Sequence, residues 1–238
     1  MDGLELPRYL PGQYISIQTN VPELHSLQSR QYSLSDAPNS DYYRISVKRE
    51  LGRSLPEPNA GAHPGFISNI MHDAKEAGDV IQVSCPAGEF FLDERSEEQS
   101  PPCVLLSAGV GITPMIAMLN TLVKSQSTSR ISFIHGARSS SVQAFGVHVS
   151  DLVDKFEHIT AAVFIKTPVL DNAAPVKYIH EGRVRLDVLD RTRDLLLADK
   201  RTLYFICGPA VFMDDMADAL RDLGVEDERL RMEVFGLA

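Results

Sequence analysis

Cysteine is scarce in this chain. The three thiols among 238 residues, Cys85, Cys103 and Cys207, are too few and too far apart for a disulfide framework. Each lies in or beside an apolar run, so buried thiols in a reducing compartment are expected. Long apolar stretches are missing too, and none reaches the length of a membrane span. The opening Met1-Asp2-Gly3-Leu4-Glu5-Leu6-Pro7 lacks the charged-then-apolar pattern of a secretion signal, which points to the cytosol. No basic run is present, and the net charge of -9 argues against a general nucleic-acid binder. His72, His135 and His148 share no metal-ligand spacing and have no paired cysteines beside them, so no metal site is expected. A serine hydrolase lacks its G-x-S-x-G elbow. The usual dinucleotide fingerprint, G-x-G-x-x-G, is absent as well.

What is present is ordinary globular material, 44% hydrophobic and 23% charged, arranged in two rhythms. From Gln13 to about Cys85 apolar and polar residues alternate between turn signals, as in Tyr14-Ile15-Ser16-Ile17, Tyr43-Arg44-Ile45-Ser46-Val47-Lys48 and Val80-Ile81-Gln82-Val83. A period of two reads as antiparallel strands with one wet face, and a small closed barrel is the economical form. A short helix, Phe66 to His72, interrupts it. Asp93 to Pro102 is polar, has no apolar period and ends in two prolines, so the boundary is placed there: 1–95 as one domain and 103–238 as the next.

From Cys103 the strands become continuous apolar runs, beginning with Cys103-Val104-Leu105-Leu106, and alternate with helices. Five strands, near 103, 131, 160, 203 and 231, imply a parallel sheet covered on both faces. Helices are expected from Pro114 to Lys124 with Thr113 as N-cap, over Val142 to Val153, around Val188 to Ala198, and from Pro209 until Gly224 stops it.

Four places could hold a ligand. Gly109 and Gly111 lie between a strand end and a helix start, where free N–H groups and the helix dipole face an anion. Cys207-Gly208-Pro209 repeats that arrangement on another strand. Arg30 and Tyr32 point to one face of a strand and Gln31 and Ser33 to the other; Arg30 suits phosphate and Tyr32 suits a flat ring. Gly65-Phe66-Ile67-Ser68 opens a helix whose N–H groups could meet a diphosphate. Taken singly, each is matched by a bland alternative: a tight turn, a core cysteine, a polar strand, a capped helix.

Taken in order, Pro11-Gly12-Gln13-Tyr14, Arg30-Gln31-Tyr32-Ser33-Leu34-Ser35, Tyr43 to Glu50, Gly88-Glu89-Phe90-Phe91-Leu92-Asp93, Gly109 to Met115, Cys207-Gly208-Pro209 and Glu233-Val234-Phe235-Gly236 resemble the ferredoxin–NADP reductase superfamily. More closely they resemble the reductase part of a fungal flavohemoglobin, a nitric oxide dioxygenase. The resemblance implies a β-barrel for FAD followed by an α/β domain for NADH or NADPH. It implies hydride transfer to FAD and electron transfer onward to a heme protein or another acceptor.

It assigns FAD to Arg30, Gln31, Tyr32 and Ser33, and its diphosphate to Gly65, Phe66, Ile67 and Ser68. The nicotinamide nucleotide goes to Gly109, Gly111 and Thr113, with Arg138 placed to read a 2′-phosphate. Cys207 and Gly208 would lie near the nicotinamide, and Glu233 and Phe235 over the flavin. Tyr32, Ser33, Cys207 and Glu233 are the implied catalytic group. Family members carry a preceding globin segment and a six-stranded barrel; four barrel strands are found here, so the barrel is expected to lack its opening strands. A nucleotide- or partner-binding remnant without turnover is the alternative.

Overall fold

The computed structural model describes residues 5–52, 64–93, 100–167 and 178–234. Two sheets carry it. The first joins β1 (Tyr14–Val21), β2 (Ser26–Ser33) and β3 (Gln82–Val83) in the order β2-β1-β3, all antiparallel. Its register sets Ile15 opposite Tyr32, Ile17 opposite Arg30 and Tyr14 opposite Ser33. Opposed residues share a face. Arg30 and Tyr32 therefore sit with Ile15 and Ile17, and Ser33 sits with Tyr14. α1 (Phe66–Asp73) packs on β1 and β2 with Ile67 buried.

Of the four expected barrel strands, Tyr43 to Lys48 contributes one bridge, Leu34 to Ile45, rather than a ladder. The alternation is still used: Tyr43 and Ile45 pack on a small cluster of Tyr9, Ile15 and Leu34. Serine contacts replace further rungs, with Ser35 N–H donating to the Arg44 carbonyl at 2.8 Å and the Ser35 and Ser46 hydroxyls 2.9 Å apart.

The second sheet is parallel and has six strands, in the order β7-β6-β5-β4-β8-β9. These are β4 (Cys103–Ala108), β5 (Ile131–Ser139), β6 (Ile159–Thr167), β7 (Ile179–Glu181), β8 (Leu203–Gly208) and β9 (Leu230–Val234). The sixth strand, beyond the five anticipated, is β7, a three-residue edge paired to Val163–Ile165. It is too short and too exposed to show a period. One face buries Leu105, Phe133 and Phe205 against α2 (Ile112–Lys124) and α3 (Gly146–Lys155). The other buries Leu106, Tyr204 and Ile206 against α4 (Ala210–Asp222).

Two helical expectations shift. α2 begins at Ile112 after a tight turn over Gly109–Gly111, so Gly111, not Thr113, holds the N-cap position. No helix forms over Val188 to Ala198. Asp190 accepts from the backbone N–H of Thr192 and Arg193, and Leu196 takes a φ of +50°; side-chain-to-backbone bonds of this kind compete with a helix. Leu189, Leu195 and Leu196 still reach the core as a tight loop. Of the three thiols, Cys103 and Cys207 are buried and Cys85 is exposed, against the expectation of three buried ones. No helix among the described residues is long and apolar enough to cross a membrane.

The two halves meet along an apolar seam. Phe90 and Leu92 leave the first half and enter the core of α2 and β8, with Phe90 edge-on to Phe205 at 5.8 Å.

Candidate functional site

The strand order reverses between β4 and β8: β5, β6 and β7 lie on one side and β9 on the other. In an open α/β sheet a ligand cleft forms at that switch point, beyond the carboxyl ends of the strands. Both glycine turns are there. A side chain on Gly111 would begin 2.2 Å from the Cys207 carbonyl oxygen and 2.8 Å from the Gly208 nitrogen, so the two turns touch through bare backbone. Gly109 differs: its φ is +57° and nothing lies near it, so glycine is needed there for conformation rather than space. Gly208 is closed in by Phe212 and Ala108. Thr113 is buried, and its hydroxyl donates to the Val110 carbonyl at 3.0 Å, so the hydroxyl is already engaged.

Glu233 on β9 stands in register with Cys207 on β8. A carbon placed on Gly88, from the first half, would lie 3.7 Å from the Glu233 carboxylate and 3.1 Å from the Tyr14 ring. Tyr14 is the strand partner of Ser33. Ser33, Tyr14, Gly88, Glu233 and Cys207 thus gather at the seam, from five separate stretches of chain. The side-chain oxygens Ser33 Oγ and Glu233 Oε2 are buried there without a hydrogen-bond partner. Burial pushes the Glu233 carboxyl up to about 7. Burial, helped by the Glu233 charge, pushes the Cys207 thiol well above the usual thiol range, so it stays protonated. Unsatisfied buried oxygens are rare in folded proteins; the other one among the described residues is Thr160 Oγ1 on β6.

Tyr32 is half-buried and Arg30 exposed on their shared face, and burial raises the Tyr32 phenol. Gly65 is the N-cap of α1, and a side chain there would crowd Ser68 Oγ and the Glu50 side chain. The Ser68 hydroxyl donates to the Gly65 carbonyl at 3.0 Å and accepts from the Glu50 N–H at 3.2 Å, so it is already engaged. A cleft of about 570 Å³ borders this turn, lined by Arg49, Gly65, Phe66, Asn69 and Asp73. A larger cavity, about 1120 Å³, opens at the other end of the sheet beside Leu203 and Lys124, away from both glycine turns. Arg138 is exposed at the end of β5, and Gln31 is exposed on β2. Phe235 lies outside the described residues. No cluster that could hold a metal ion occurs among the described residues. Sequence reasoning gave no role to Tyr14 and Gly88; the strand register sets Tyr14 with Ser33, and the close packing at Gly88 sets it with Tyr14 and Glu233.

Residues 105–218 match the family described as the oxidoreductase NAD-binding domain. The flavohemoprotein of Bordetella pertussis is 42% identical over 236 residues, 99% of this chain and 55% of that protein. The crystal structure of the flavohem-like FAD/NAD binding domain of nitric oxide dioxygenase from Vibrio cholerae O1 biovar El Tor is 33% identical, with a TM-score of 0.79 over 99% of this chain and 89% of that one. Flavohemoglobin from Malassezia yamatoensis, solved with bound FAD and heme, shares the fold at a TM-score of 0.74 and 24% identity, covering 99% of this chain and 54% of that one.

The chain belongs to the ferredoxin reductase family of NAD-binding oxidoreductases. Within it, the likeness is to the reductase part of flavohemoproteins, bacterial ones included, so it is not confined to fungal proteins. The chain spans about 55% of the length of the curated flavohemoproteins it matches.

Proposed function

We propose that this protein binds FAD in its first half and NADH or NADPH in its second, passes hydride from the nucleotide to the flavin, and sends electrons on to a heme protein or another acceptor. The division into 1–95 and 103–238 as two ligand-binding domains belongs to the same reading, as does a cytosolic location. The observation that carries it is the pair of unpartnered buried oxygens, Ser33 Oγ and Glu233 Oε2, brought from two sheets to one seam beside Cys207.

The residues fit such ligands. The flavin, when bound, supplies a hydride acceptor and a store of electrons that can leave singly. Arg30 makes a charge-assisted bond to phosphate, and Tyr32 offers a flat surface. Gln31 belongs to the same flavin-holding strand. Gly65, Phe66, Ile67 and Ser68 stand at the start of α1, where the helix dipole favours an anion; the Gly65 N–H itself donates to the Glu50 carbonyl at 2.9 Å. Gly109, Gly111 and Thr113 stand at the switch point, where the touching turns leave only backbone against the nucleotide. Ser33 supplies a hydroxyl for a ring-edge bond. Glu233 holds a proton near neutral pH at a carboxyl aimed into the seam. Cys207 and Gly208, protonated thiol and bare backbone, would line the nicotinamide side, and Phe235, assigned to the flavin by the resemblance, lies outside the described residues. Arg138, at the end of β5, is placed to meet a 2′-phosphate and so to admit NADPH.

The test is reconstitution of purified protein with FAD, read by flavin absorbance. Arg30→Ala should lose about 1.5–3 kcal/mol of binding, about ten- to a hundredfold in affinity, and Tyr32→Ala should weaken it as well. Equal occupancy in wild type and both variants would refute the flavin assignment. A wild type that takes up no FAD would leave a nucleotide- or partner-binding protein without turnover.

A further inference from the structure

Apolar contact holds the two halves together but does not set their angle, because it is non-directional. A directional contact lies at the rim of the seam. Asn120 on α2 donates from Nδ2 to Asp36 Oδ1 at 2.8 Å. Asp36 comes three residues after Ser33, on the loop that leaves β2.

Neither partner is free to turn. Asp36 also accepts from the Ala37 backbone at 2.9 Å and the Tyr42 hydroxyl at 3.1 Å, and pairs with Arg44 at 2.9 Å. The Tyr9 hydroxyl donates to the carbonyls of Asp36 and Ala37, both at 3.0 Å. On the other side, Asn120 Oδ1 lies 2.7 Å from His148 Nε2 on α3. The amide nitrogen only donates, so the Asn120 oxygen faces the histidine and His148 is the donor. Lys124, one turn further along α2, donates to the Pro38 carbonyl at 3.0 Å.

We infer that Asp36 and Asn120 are positioning residues for hydride transfer, fixing the angle between the strand that carries Tyr32 and Ser33 and the helix that grows out of the nucleotide-binding turn. The inference rests on the function proposed above. α2 acts as a lever. Asn120 lies eight residues beyond Ile112, so at the helical rise it sits about 12 Å from the turn. A tilt of about 5° at Asn120 moves the turn by about 1 Å. Misplacement of that size costs up to about a hundredfold in rate. The pair touches neither ligand-binding turn, so its loss should leave binding intact and slow the transfer.

The experiment compares wild type with Asp36→Ala, Asn120→Ala, the double variant and Asn120→Asp. Alanine favours the helix, so α2 should persist. Asn120→Asp keeps the shape and sets a second carboxylate against Asp36. Anaerobic stopped-flow bleaching of FAD-loaded protein should show the limiting rate down about tenfold or more in each variant. Flavin occupancy and the half-saturating nucleotide concentration should stay within about twofold, and the long-wavelength absorbance of the stacked nucleotide–flavin complex should fall. The double variant should be no slower than the slower single. In flavin-free protein, the same two single variants and the double should shift the melting temperature non-additively, which reads the contact itself. Unchanged limiting rates in the single variants, additive effects, or a loss confined to nucleotide affinity would overturn the positioning role alone. A wild type that holds no flavin, or whose flavin no nucleotide bleaches, would overturn the function and this inference with it.

Discussion

The two sheets solve different problems with different amounts of core. The six-stranded sheet buries both faces, and Leu105, Leu106, Phe133, Tyr204 and Phe205 are almost fully enclosed. The first half buries Ile17 and Val21 of β1, gathers Tyr9, Ile15 and Leu34 into a small cluster, and leaves Leu27 59% exposed and Val83 45% exposed. A parallel sheet wrapped by helices holds its own shape. An open antiparallel sheet with so small a cluster depends on its neighbours, here the seam to α2 and, in the proposed function, FAD. In the proposed function, the contrast separates a self-supporting nucleotide half from a flavin half that its ligand would complete.

Core truncation should break the comparison most visibly. Phe133→Ala, in the packed sheet, should cost about 3–5 kcal/mol. Ile15→Ala should fall at the low end of the usual range, about 2 kcal/mol, because its surroundings can relax. Thermal or urea unfolding followed by circular dichroism ranks them. A larger loss from Ile15→Ala would reverse the assignment of self-sufficiency.

Next in size is the glycine pair. Gly111→Val drives a side chain into the Cys207 carbonyl and should lower nucleotide-driven flavin bleaching on the order of a hundredfold, with FAD still bound. Gly109→Ala has room but sits at positive φ, so its effect should be a strain of about 1–2 kcal/mol and a milder loss of bleaching. Equal effects from the two would mean that they do the same job.

FAD at a hundred times its Kd should stabilise the protein by about 2.7 kcal/mol. Hydrogen exchange should place most of the added protection in β1 and β2 rather than β4 and β5. Uniform protection would deny the difference between the halves.

A pH dependence from Glu233 is expected as well. Its carboxyl is raised from 4.5 to about 7 in the folded chain by burial. Below about pH 4.5 both states hold the proton and nothing changes. Between 4.5 and 7 the unfolded chain releases it while the folded one keeps it, so stability falls as pH rises. Above 7 the loss is complete. Melting of flavin-free protein across that window should flatten in Glu233→Gln; parallel curves would remove the titration from Glu233.

The buried strands were legible because β4, β5, β6 and β8 are apolar on both faces, and the two glycine turns because each separates such a strand from a helix. β7 was invisible, being three residues at an edge. The run from Val188 to Ala198 looked helical because its leucines are spaced for burial, yet Asp190 spends its carboxylate on the backbone and bends it. Tyr43 to Lys48 alternates as a strand should and pairs at one bridge. Arg30, Ser33, Cys207 and Glu233 could be named from their motifs. That Ser33 and Glu233 share a seam with Tyr14 and Gly88 follows only from register and tertiary packing. The Asp36–Asn120 contact joins residues 84 apart in the chain and carries no local pattern.

The most direct test of the account is anaerobic mixing of the FAD-reconstituted protein with NADH and, separately, with NADPH while the flavin absorbance is followed. The account predicts a yellow protein that at least one nucleotide bleaches, with Gly111→Val retaining the colour and losing the bleaching. A colourless protein after reconstitution, or bound flavin that neither nucleotide bleaches, would contradict it.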